Sequence, residues 1–254
     1  MTGVAVALGV RPGDLVALVG GGGKTSLMLA LGRSLVAAGQ RVVLTTTTRI
    51  ASHELALAPA ACPAGDDEAL AAALVTAGCC LVTREVGPHK AAGVEPDVPR
   101  QWLARPDVDV VVVEADGAAQ RPVKLPAAHE PALPLGVTLL VALVGIDALS
   151  GPLQQVAHRP ERVAAWLGIT PEEQLTPALL ARLAASEEGG LKELPAGARA
   201  ALFVNKVENE QQALLAGQVA LSVFSGSPIT RVVAGALQHE ERPLLVLKRD
   251  PGGA

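Results

Sequence analysis

Four consecutive glycines, Gly20, Gly21, Gly22 and Gly23, followed at once by Lys24, Thr25 and Ser26, constrain this chain more than any other stretch. Before them, residues 15–19 form an apolar run of strand length, introduced by the turn Arg11-Pro12-Gly13-Asp14. After them, residues 24–38 carry Leu27, Leu31 and Leu35 at helical spacing, and Gly39 supplies a stop. Strand, glycine loop, Lys-Thr and helix in this order are the setting of a phosphate-binding loop. Glycines let backbone N–H groups turn onto phosphate oxygens, and a helix N-terminus adds partial positive charge. In such a loop Lys24 reaches the terminal phosphates and Thr25 offers its hydroxyl to Mg²⁺. Strict spacing asks for a glycine at position 18, where this chain has Leu18, so the pattern is imperfect. A flexible glycine turn is the plain alternative.

Strand-length apolar runs alternate with helix-like stretches along the rest of the chain, as in repeated βαβ units. Strands are expected at 41–45, 79–83, 108–113, 138–144, 201–204, 229–233 and 244–247. Helices are expected at 66–77, 161–167, 177–185 and 208–220, the third capped by Thr176 with Pro177 in its first turn. Residues 84–106 and 117–136 read as loops punctuated by proline and glycine. The β-branched run Val110-Val111-Val112-Val113 is of the kind found at the centre of a parallel sheet. The expected fold is α/β, a mostly parallel central sheet with helices on both faces. The expected organisation is one domain over residues 1–254, with a helical insertion near 150–198.

Three further motifs fall at strand ends, where an open parallel sheet binds ligands. Glu114 and Asp116 follow the valine run, placed to hold Mg²⁺ directly or through water, and Gly117 completes an acid-x-x-Gly pattern. Thr45, Thr46, Thr47, Thr48 and Arg49 close the second strand. Their hydroxyls and guanidinium suit an anion or a metal shell, although strand-forming threonines fit as well. Asn205-Lys206-Val207-Glu208 is similar to the Asn-Lys-x-Asp element that reads guanine, with an acid one methylene longer. An ordinary surface turn fits that segment equally. Loop-borne Arg121, Lys124, His129, Glu130, Asp147, His158 and Arg159 are candidates for holding a second substrate.

Composition excludes several function classes. Twenty-one basic against 25 acidic residues, a net charge of −4, leave no excess to neutralise a nucleic-acid backbone. Two Trp, two Phe and no Tyr provide no stacking platform for single strands. The longest uncharged apolar stretches, 69–83 and 137–146, are shorter than the roughly 20 residues of a membrane-crossing helix. The first residues lack the basic character of a secretory signal. Cys62, Cys79 and Cys80 form neither a CxxC nor a Cys/His cluster, so a reduced cytoplasmic protein is expected.

Taken together and in order, Gly20 to Thr25, Thr45 to Arg49, Glu114 to Gly117, Pro122-Val-Lys124, His129-Glu-Pro131, Gly145-Ile-Asp147, His158-Arg159 and Asn205-Lys206 resemble the YqeC-type family. The resemblance spans about residues 15–210. It implies a P-loop NTPase-like protein that serves the maturation of selenium-dependent molybdenum hydroxylases, with the hydroxylase or its cofactor as partner. It also directs attention to Lys124, His129, Glu130, Asp147, His158 and Arg159 as a family-specific pocket. The resulting expectation is an Mg²⁺-dependent hydrolase of ATP or GTP, with Lys24, Glu114 and Asp116 carrying the chemistry. Two other readings remain open: a small-molecule kinase or nucleotidyl-type transferase, and a non-catalytic nucleotide-gated adaptor.

Overall fold

The computed structural model describes residues 3–239 and 243–249. In chain order the elements begin α1 (Val4–Leu8), β1 (Leu15–Gly20), α2 (Lys24–Val36), β2 (Val42–Thr46), β3 (Arg49–Ala51) and β4 (Ala61–Pro63). They continue α3 (Asp67–Ala77), β5 (Cys79–Thr83), β6 (Lys90–Ala92), α4 (Val98–Leu103), β7 (Val110–Glu114), β8 (Val123–Lys124) and β9 (Leu139–Gly145). The remainder are α5 (Leu153–Val156), β10 (Ala157–His158), α6 (Pro160–Leu167), α7 (Pro177–Ala185), β11 (Arg199–Asn205), α8 (Glu210–Phe224), β12 (Arg231–Gly235) and β13 (Leu245–Lys248).

Nine strands form one sheet in the order β13-β12-β11-β9-β1-β7-β2-β5-β4. Every pairing is parallel except β12 with β13 at one edge. Alternation along the strands builds a core on each face, because successive side chains point to opposite sides. Leu15, Ala17 and Val19 of β1 join Leu140, Ala142 and Val144 of β9 beneath α3, α4, α6, α7 and α8. Val16 and Leu18 join Leu139, Val141 and Leu143 beneath α1 and α2. Burial on both faces explains why these strands read as continuous apolar runs.

From β1 the chain passes to β2, then to β4 at the edge, places β5 between them, and returns to insert β7 beside β1. It next places β9 on β1's other side. The phosphate-loop strand therefore stands where the order reverses, the crevice position of an open α/β sheet.

Several boundaries differ from expectation, and each difference has a local cause. Arg41 precedes β2, because its amide and guanidinium both bond the Asp109 carboxylate. The valine strand begins at Val110 and ends on Glu114, so that carboxylate belongs to the strand itself. The loop expected at 84–106 contains α4, which starts with Pro99 in its first turn and buries Trp102. Helix α8 begins at Glu210, after Asn209 accepts the Gln212 amide, so Glu208 lies in the turn before it. The strand expected at 229–233 runs instead from Arg231 to Gly235. Among the described residues, no helix is long and apolar enough to cross a membrane.

Candidate phosphate-loop site

β1 delivers the four glycines to the carboxyl edge of the sheet, and close packing there explains why side chains are excluded. A Cβ on Gly20 would come within 2.3 Å of the Leu143 carbonyl, and one on Gly22 within 2.3 Å of the Gly145 amide. Both glycines also have positive φ, at 99° and 82°, which L side chains rarely adopt. Gly21 donates to the Leu143 carbonyl and Gly22 to the Arg121 carbonyl, each at 3.0 Å. The loop is thus roofed by the 121–122 segment and by the end of β9. Beyond it, the amides of Gly23, Lys24, Thr25 and Ser26 have no acceptor among the described residues. These are the orphan donors that a helix N-terminus offers to an anion.

Lys24 folds back over its own loop instead of extending outward. Its ammonium donates to the Gly20 carbonyl at 2.7 Å and lies 3.1 Å from Asp116 Oδ1 and 4.0 Å from Glu114 Oε1. Thr25 donates its hydroxyl to Glu114 Oε2 at 2.8 Å. Asp116 has no exposed side-chain surface and takes the Gly20 amide on Oδ2, while no hydrogen bond is aligned on Oδ1. Burial pushes the Glu114 carboxyl up, against the opposing pull of Lys24 and the Thr25 hydroxyl.

The ion chain continues past Asp116. Lys124, wholly buried at its side chain, lies 3.3 Å from Asp116 Oδ2 and donates to Glu130 Oε2 at 2.8 Å and to the Gly117 carbonyl at 2.6 Å. Glu130 Oε2 also receives the Ala127 amide at 2.9 Å and Arg159 Nη1 at 3.1 Å. Burial works against the Glu130 charge, but the amide, Lys124 and Arg159 together hold its carboxyl at about 2. His158 sits beside them, in register with Lys124 across the β8–β10 pair.

The other expected site residues separate into groups. Asn205 donates its amide to the Gly22 carbonyl at 2.7 Å, tying the end of β11 to the phosphate loop. Lys206, at φ 64°, pairs with Asp147 at 2.6 Å. Glu208 lines a cavity of about 130 Å³ together with Gly23, Ser26, Asn205, Leu237 and Gln238. Thr46 and Thr47 donate their hydroxyls to the carbonyls of Glu114 and Ala132, and Thr48 meets the Thr46 hydroxyl at 3.1 Å. Arg49 is exposed on β3, and His129 is exposed in the loop before Pro131. The Arg121 guanidinium reaches away to the Gln155 carbonyl, so its main chain, not its charge, meets the phosphate loop.

Sequence reasoning passed over two contributors. Lys192 donates to the carbonyls of Ala127, at 2.7 Å, and of Ala128 and Glu130, pinning the loop that presents Glu130. Glu54, in the 3₁₀ turn Ser52–Leu57, is close enough to act on Glu114 electrostatically. Neither belongs to a motif; the separation of 62 positions between Glu130 and Lys192 leaves no local signal.

A parallel sheet with a glycine loop and Lys-Thr helix at its switch point, and carboxylates on the adjoining strand, defines a P-loop NTPase-type α/β protein. A family model described as "YqeC protein" matches residues 16–161. The chain is 31% identical over 207 residues to "Uncharacterized protein YqeC" of Escherichia coli (strain K12), covering 80% of each chain. It belongs to the YqeC family. Among solved structures it is similar to cell division protein FtsY of Thermotoga maritima, with TM-score 0.40 and 15% identity, over 95% of this chain and 67% of that one. FtsY of Mycoplasma mycoides gives TM-score 0.38 and 12% identity, over 93% and 64%.

Proposed function

We propose that this protein binds a nucleoside triphosphate with Mg²⁺ and hydrolyses it in the maturation of a molybdenum hydroxylase. The observation that carries the nucleotide reading is the convergence of Lys24, Thr25, Glu114 and Asp116 below the open amides of α2. The cation and amides suit phosphate oxygens. Asp116 Oδ1, buried without an aligned hydrogen bond, and the Thr25 hydroxyl suit a hard cation. Among the described residues no cluster of three His, Cys, Asp or Glu could hold a metal alone, so phosphate oxygens would complete the shell. Bound there, Mg²⁺ would neutralise charge on the phosphates.

On this reading, binding changes the resting contacts. Lys24 has to leave Asp116 and the Gly20 carbonyl to meet a phosphate, and the roof at 121–122 lies directly over Gly21 and Gly22. Release of Lys24 from Asp116 would be felt in the 117–124 segment through Lys124, which also pairs with Asp116. Burial of Glu114 beside Thr25 fits a role in positioning the attacking water once the site is filled. The maturation role rests on the ordered motif set shared with the YqeC family.

Equilibrium binding of ATP, GTP and CTP, with and without Mg²⁺, tests the site. Lys24→Ala removes a charge-assisted contact of roughly 1.5–3 kcal/mol and should weaken the preferred triphosphate about tenfold or more. Unchanged affinity in a folded variant refutes the assignment. For the pathway, hydroxylase activity and selenium content are measured in a strain lacking the protein; full selenium loading there refutes the role.

A further inference from the structure

Beyond Asp116 the ion chain ends in two side chains that the nucleotide reading does not use. Arg159 is held at φ 58°, a left-handed conformation that an arginine enters only at an energetic cost. Strain of this kind persists where the surroundings impose it, and it points the side chain back over Glu130. Its guanidinium makes one hydrogen bond, from Nη1, and is 38% exposed. Among the described residues Nε and Nη2 have no acceptor. His158, half-buried one residue earlier, likewise has no hydrogen-bond partner on either ring nitrogen among the described residues. Burial, and then Arg159 and Lys124, lower its proton affinity, favouring the neutral ring, which offers one donor and one acceptor.

Several cations stand around the pair. Lys124 stands opposite His158, Arg162 donates to the Pro126 carbonyl, and Lys192 reaches carbonyls of the same loop. Of the charges that act on His158, Asp116 and Glu130 oppose these cations. Glu130 shows what this region accepts: one carboxylate oxygen collects an ammonium, a guanidinium and a backbone amide.

We propose that Arg159 and His158 form a second ligand site, distinct from the phosphate loop, that takes the oxyanion of a small molecule. The open edge of the guanidinium fork matches two oxygens of a phosphate or carboxylate, and His158 meets a third polar atom. Lys124 touches both Glu130 and Asp116, and Asp116 touches Lys24, so each site feels the charge bound at the other. Such coupling is reciprocal. The assignment extends the proposed function to a second substrate but does not depend on nucleotide binding.

Selective ¹⁵N-histidine labelling of the full chain, with the His158 signals assigned through His158→Gln, follows the site directly. Inorganic phosphate and succinate are the probes, the two arms separating a phosphate from a carboxylate ligand. A saturable movement of the His158 signals with either probe is expected. Arg159→Gln should weaken that response about tenfold or more, Arg159→Lys less so, while Lys24→Ala leaves it in place. Thermal melting checks that each variant is folded; should Arg159→Gln fail, Arg159→Lys carries the comparison. Absence of a saturable response to both probes overturns the assignment. So does a response lost in Lys24→Ala and kept in the Arg159 variants, which would place the anion in the phosphate loop. An intact His158 response in a chain that binds no nucleotide would refute the nucleotide reading alone.

Discussion

Replacing Lys124 with methionine keeps the stem of the side chain and removes the ammonium from a fully buried position. Three contacts disappear: Asp116 Oδ2 at 3.3 Å, Glu130 Oε2 at 2.8 Å and the Gly117 carbonyl at 2.6 Å. Asp116 keeps Lys24 and the Gly20 amide, and Glu130 keeps Ala127 and Arg159, so neither carboxylate is wholly abandoned. Breaking a buried pair from one side costs about 3–5 kcal/mol, because a desolvated charge is left short of its partner. A domain stable by ~5–15 kcal/mol survives this close to its margin. The acid limb gives an independent handle. Glu130 is held at about 2, below its ordinary 4.5, which corresponds to roughly 3 kcal/mol. Because the folded value is depressed, this stabilisation is fully present above the ordinary value and is lost as pH falls from about 4.5 through about 2. Urea denaturation from neutrality down through that range should show Lys124→Met less stable near neutrality, with a flatter acid limb. A cost below about 1 kcal/mol, or an unchanged acid limb, would refute the reading that Lys124 anchors both carboxylates.

Other outcomes follow from individual contacts. Gly22→Ala must fit a Cβ 2.3 Å from the Gly145 amide at φ 82°, so unfolding experiments should show a loss of more than about 2 kcal/mol. Gly117→Ala meets open space and should leave stability within about 0.5 kcal/mol; a weaker triphosphate affinity in that variant would show that the Gly117 backbone approaches the phosphates. Changing Glu114 and Asp116 together to Gln and Asn should abolish Mg²⁺-dependent turnover, and turnover at full rate would place the essential carboxylate elsewhere. Glu208→Ala should erase any preference for GTP over ATP if the cavity beside Gly23 and Gln238 receives the base. Equal loss of both nucleotides would make Glu208 a structural residue.

Much of the fold was legible because its signals are local. Apolar runs of two-sided burial marked β1, β5, β7, β9 and β11, and Thr176 with Pro177 marked the start of α7. The short ribbons were not legible. β3, β6, β8 and β10 span two or three residues each and form only where another segment supplies the partner. Helix α4 was hidden by the prolines at 88, 96 and 99, of which Pro99 alone lies in the helix, in its first turn, where a missing N–H costs nothing.

The candidate site divides the same way. Residue identity and order were enough to single out the glycine loop, Lys24, Thr25, Glu114 and Asp116, because a strand that runs into glycines and then a helix restricts what the backbone can do. Only the folded chain decided the pairings: Thr25 with Glu114 across 89 residues, Gly20 with Asp116 across 96, and Asn205 with Gly22 across 183. It also decided that Lys24 lies folded onto Asp116, that Arg121 contributes its carbonyl to the loop, and that Lys124, Glu130 and Arg159 meet while His129 stays outside. Local propensity is set by each residue and its near neighbours. Which charge meets which carboxylate is set by the register of distant strands, and that register follows from how the two faces of the whole sheet bury their side chains.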